Sequence, residues 1–160
     1  MGKVLSGFSG WFPGMPTRSA DEIVIPSVNR EVSASVAFGA PVVLASDGKG
    51  VVNWTSDSAA DDFVGFAVRV PSKAPDAYGS SAASYAHGEA MDVLTRGGVI
   101  VSVSSGTAAP GGSVYIVKAT GAIVCAADST NTVELTNVKF RTARNTAGEA
   151  EVIVLSRNLQ

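Results

Sequence analysis

The chain of 160 residues has one histidine, one cysteine and no group of acids at metal-ligand spacing. Each absence removes a class of function. A catalytic or metal centre needs a nucleophile, a base or several converging ligands. His87, followed by Gly88 and Glu89, is the lone imidazole, and nothing in the sequence nominates a partner for it, so it reads as a loop histidine. Asp61 and Asp62, with Asp57 nearby, lack the alternate spacing and central glycine of an oxygen-ligand calcium loop. Ser102, Ser104 and Ser105 lie outside any nucleophile-elbow pattern. The pairs Gly97-Gly98 and Gly111-Gly112 precede no helix N-terminus that would hold a phosphate. Cys125, inside an apolar run, reads as a small buried hydrophobe with no disulfide framework around it. No catalytic residue, metal ligand or cofactor is expected.

Charge is also scarce. Charged residues make up 16% of the chain, against about 25% in an ordinary soluble domain. With a net charge of −2 there is no basic stripe to neutralise phosphates, and no nucleic-acid partner is expected. No stretch approaches the ~18 consecutive apolar residues of a membrane helix. The opening MGKVLSGFSGWFPGMP has no apolar core of a signal peptide, and its M-G-x-x-x-S pattern is too short to argue for myristoylation. A surface of Ala, Ser, Gly and Thr with little charge suits a subunit that buries its exterior against partners.

What is abundant is valine, 23 residues against only 6 leucines, together with 17 glycines and 7 prolines. Branching at Cβ stiffens the side chain and suits a pleated surface, while glycine and proline punctuate turns. Strands are expected at residues 22–25, stopped by Pro26, at 32–38, where Val32, Ala34, Val36 and Phe38 alternate with serines, and at 41–45 and 51–54 around Asp47-Gly48-Lys49-Gly50. Residues 56–62 are expected to form one helical turn with Ser56 as N-cap. Residues 63–70 read as a buried strand. Hairpins are expected for 90–95 and 99–103 through Arg96-Gly97-Gly98, and for 113–119 and 122–126 across Thr120-Gly121, with 133–141 and 149–155 closing the chain. The fold class is all-β: a single antiparallel β-barrel or β-sandwich, jelly-roll or β-tulip-like, of about ten short strands.

Two segments break this rhythm. Residues 1–20 interleave Phe8, Trp11, Phe12 and Met15 with glycine and proline, which supports neither a helix nor an alternating strand. They are expected to be an irregular arm preceding a β-domain over 21–160, packed either on that domain or in a groove on a neighbour. Residues 71–87 form a loop of about 17 residues, beyond the ~12–15 at which a loop is commonly functional or disordered. Tyr78 and Tyr85 lie in this loop. The scattered aromatics serve equally as sugar-stacking groups, interface anchors or core anchors.

Six blocks, residues 4–27, 37–52, 62–73, 85–103, 111–124 and 137–155, resemble in their order the head-decoration or structural cement proteins of tailed bacteriophages. Each block alone is a generic β-hairpin. The signal lies in the series, which runs from VLSGFSGWFPGMPTRSADEIVIPS through AFGAPVVLASDGKGVV and YAHGEAMDVLTRGGVIVSV to NVKFRTARNTAGEAEVIVL. The resemblance implies a non-enzymatic virion protein, assembled in the host cytoplasm, that binds the outer surface of the major capsid protein shell as a dimer or trimer and clamps neighbouring capsomers. It implies contacts through the arm and loops, here Phe8, Trp11, Phe12, Met15, Tyr78 and Tyr85. An alternative is a carbohydrate- or receptor-binding β-module of a phage tail or spike. A small β-enzyme with its site between subunits is a third reading, for which no acids or nucleophile are found.

Overall fold

The valine-rich runs become strands, and their order closes a barrel. The computed structural model describes residues 11–17, 20–73 and 83–156. Along the chain run β1 (Ile23–Val28), β2 (Val36–Ala37), β3 (Pro41–Leu44), β4 (Val51–Asn53), β5 (Phe63–Ala67), β6 (Ser84–Tyr85), β7 (Ala90–Ser105), β8 (Ser113–Val117), β9 (Ile123–Val124), β10 (Thr132–Phe140) and β11 (Glu149–Val154). The fold is all-β, as expected. Strands β7, β11, β10, β8 and β9 pair in a ring that returns to β7. Closure leaves these strands no open edge along the ring. One member of the ring breaks the expected antiparallel rule, because β7 and β9 run parallel.

The main departure from expectation lies at Arg96-Gly97-Gly98. No hairpin turns there, and β7 continues through it for 16 residues. Its first half pairs with β1 on one edge and β5 on the other, and β3 and β4 extend the sheet beyond β5. Its second half pairs with β11, from Val154 opposite Gly97 to Glu149 opposite Ser102. Gly97 takes φ 112°, but the positive φ serves a bend and not a reversal. The register beside it slips, since Ile23 faces Arg96 while Val24 faces Leu94. Below the slip Leu94 points into the main core; above it Val99, Val101 and Val103 do. The inward face passes from even to odd positions across the slip.

That main core fills the barrel with Val114, Ile116, Leu135, Val138, Phe140 and Val152 and continues over Phe63, Phe66 and Trp54. A second cluster, with Val36, Phe38, Val42, Tyr85, Met91 and Val93, packs on the other face of the outer sheet. Gly65 separates neither cluster by accident: a Cβ there would overlap the Leu94 carbonyl, so the β5–β7 approach requires its absence.

Smaller differences have local causes. Pro26 lies inside β1 instead of ending it, which is tolerated because β1 pairs on one edge only. The strand expected over 32–38 shrinks to Val36–Ala37, and Val32 stands 88% exposed. The expected helical turn is a 3-10 turn at Ala60–Asp62, closed by the Asp62 carboxylate accepting the Ala59 N–H at 2.8 Å; Ser56 does not cap it. The hairpins β3–β4, β8–β9 and β10–β11 form as expected, with Gly48 and Gly121 at positive φ in the first two turns.

Candidate partner-contacting surface

Residues 11–17 of the arm lie against their own domain. Phe12-Pro13-Gly14-Met15 forms a tight turn, with the Met15 N–H donating to the Phe12 carbonyl at 3.0 Å and Gly14 at φ 80°. Proline presets the second position of such a turn and glycine alone accepts the third comfortably. Beyond the turn the chain adds to β7 on the edge opposite β11. The Gly14 N–H donates to the Ile100 carbonyl at 2.8 Å, the Ile100 N–H to Met15 at 3.0 Å, and the Thr17 N–H to Gly98 at 2.9 Å. Pro16 faces Val99 between these bonds, where no donor is required.

Side chains fasten the seam at both ends. The Thr17 hydroxyl donates to Glu151 Oε1 at 2.5 Å, and Arg141 reaches the same oxygen at 3.3 Å. Glu151 is 9% exposed, so these partners offset the burial of its charge. At the other end the Arg69 guanidinium lies 5.0 Å from the Phe12 ring and 5.4 Å from the Phe38 ring, joining arm and outer sheet. The Arg69 N–H also donates to the Gly14 carbonyl at 2.7 Å. Trp11 and Met15 remain half-buried and line a cleft of about 370 Å³ with Arg141 and Glu151.

The second expected element, the loop over 71–87, is described only at its roots. Asn29, fully buried, is the hub there. Its amide donates to the carbonyls of Tyr85 at 3.0 Å and Ala86 at 3.1 Å, and its side-chain oxygen accepts the Glu31 N–H at 3.0 Å. Lys73 pairs with Glu89, which also accepts the Ala86 N–H at 2.7 Å. The Lys73 ammonium beside it, helped by the Ala86 N–H, holds the Glu89 carboxyl below the usual range. The His87 ring hydrogen-bonds the Glu31 carbonyl. Among the described residues no group of His, Cys, Asp and Glu is placed to hold a metal ion.

Of the six residues expected at a partner contact, Trp11, Phe12 and Met15 come together on the seam. Tyr85 takes a core-anchor place, 2% exposed, with its hydroxyl donating to the Val68 carbonyl at 2.6 Å and its pKa raised by burial. Phe8 and Tyr78 fall outside the described residues. Sequence reasoning missed Asn29, Thr17 and Glu151. Asn29 carried one signal, the tendency of asparagine to bond the backbone two residues on; the Thr17–Glu151 pair, 134 positions apart, carried none.

A family model described as structural cement protein (E217 gp24/Pam3 gp6) matches residues 6–158. Among solved structures, a chain from the capsid of the Myoviridae phage XM1 shares the fold with a TM-score of 0.70 at 16% identity, over 92% of this chain and 91% of that one. A comparison with curated protein sequences finds no match.

Proposed function

We propose, from the premise that this chain belongs to the structural cement protein family, that it binds the outer surface of the capsid shell and clamps neighbouring capsomers. Family membership makes it a structural, capsid-associated protein. The partner in this reading is the major capsid protein, the protein acts as a dimer or trimer, and no chemistry is catalysed. The observation that carries the reading is the seam. Gly14, Met15 and Thr17 are hydrogen-bonded to the longest strand of the barrel, so a pull on the chain ahead of them is delivered to a rigid body. A genome packed inside a shell pushes capsomers apart, and a stiff body attached across their boundary opposes that separation. Many copies act together, so modest affinity per copy suffices.

Purified protein mixed with undecorated, expanded shells should decorate them saturably and raise their melting temperature. Absence of both co-sedimentation and a melting shift would end the reading. Deleting residues 2–10 is expected to weaken decoration by about tenfold or more while leaving the free protein folded, because the described hydrogen bonds from the arm to β7, at Gly14, Met15 and Thr17, are retained. Undiminished decoration by that variant would remove residues 2–10 from the contact.

A further inference from the structure

A groove of about 730 Å³ lies over strands β3 and β4 and shares no lining residue with the cleft at the arm seam. Three large apolar side chains are exposed among the described residues: Val32 at 88%, Leu155 at 52% and Leu44 at 42%. Val32 and Leu44 both line this groove, with Val43 and Val52. Its polar lining holds one cation, Arg30, against the four carboxylates of Glu31, Asp47, Asp57 and Asp62. Arg30 is spent on Asp47 at 2.7 Å. Glu31 accepts the Asn53 N–H, and Asp62 closes its own 3-10 turn. Neither bond brings a positive charge, and Asp57 meets only the Ser56 hydroxyl at 3.4 Å. Three carboxylates thus surround an apolar floor with no cation of the described chain to balance them.

We propose that this groove is a second docking surface for the shell, taking a segment of the shell subunit that carries an apolar side chain beside a lysine or arginine. The inference rests on the shell-binding reading above. Charge complementarity selects the occupant: an apolar floor with an acidic rim favours a segment that fills the floor and neutralises the rim. Pairing the groove with itself across a two-fold axis would set one acidic rim against another, an arrangement that like charges oppose. Leu155, the remaining exposed large hydrophobic among the described residues, does not line the groove. Arm and groove would give each copy two separate holds, the geometry in which one subunit bridges two others.

The test uses the full chain and expanded, undecorated shells. Val32→Ser and Asp57→Lys change side chains that are exposed, so both variants should keep the wild-type melting temperature. Each is expected to weaken shell binding by about tenfold, and Asp57→Lys should also flatten the dependence of binding on salt. If the wild type binds and both variants bind equally well, the groove is not a shell contact, while the shell-binding reading stands. If the wild type does not bind, the failure belongs to that reading. If the variants change the oligomeric state by light scattering and leave shell affinity untouched, the occupant is a second copy and the proposal is overturned.

Discussion

A methyl group at position 98 would occupy the space now held by the Thr17 hydroxyl, and would stand 2.9 Å from Glu151 Oε1. Gly98→Ala should therefore push the arm from β7, at a cost of about 1–3 kcal/mol, read as a lower melting temperature. Thr17→Ala removes one of the two obstructing groups. Combining the two substitutions should recover part of the loss, and strict additivity would show that the contact does not limit the seam. Gly14→Ala is expected to be worse, since its Cβ would meet three backbone atoms at 2.8–2.9 Å from a positive φ. At this scale the sequence was legible in kind and not in place. The irregular backbone around Pro13 and Gly14 was legible, because the preferences of proline and glycine are local; the tight turn they form was not specified. The Thr17–Glu151 bond could not, because only the closed fold brings those residues together.

Strand β7 and the loop roots carry the argument among the elements. The pair Gly97-Gly98 reads as a hairpin because a tight turn and a bend within a strand both call for glycine. Local chemistry does not distinguish them; the pairing of β11 and β1 along both halves of the strand does. Hairpins such as β3–β4 were legible because their turn and their alternating flanks lie within one short window. The roots of the loop depend on charge. With the Glu89 carboxyl held low by Lys73, the stabilisation is present above the usual carboxylate range and is lost as pH falls through the lowered value. Hydrogen exchange should accordingly show the Ala86 amide losing protection on acidification. Glu89→Gln should lower that protection at neutral pH and remove its dependence on pH, whereas an unchanged pH profile in the variant would exclude the ion pair as the cause.

For the whole molecule, the barrel and the outer sheet share β7 and a core that runs from Phe140 and Val152 to Phe66 and Trp54. Two sheets joined in this way should unfold together. Denaturant unfolding followed by tryptophan fluorescence and by far-ultraviolet circular dichroism should give coincident transitions; separated midpoints would show that the outer sheet melts alone. Because pairings such as Glu149 with Ser102 and Val117 with Thr132 join distant segments, refolding is expected in milliseconds to seconds and not in microseconds. The all-β class, as a barrel or a sandwich, was legible in the valine excess and the series of hairpins; the choice of the closed barrel was not, since nothing local in the sequence marks the parallel return of β9 to β7.

The unbroken course of β7 also bears on how chains of this kind can diverge. One residue inserted between Met91 and Val93 would turn every later side chain of the strand to the opposite face and strip β7 from two packed cores at once, while one inserted between Val99 and Val103 would do so to the main core. Length should therefore stay fixed across 90–105, so that relatives with little shared identity still align there without a gap.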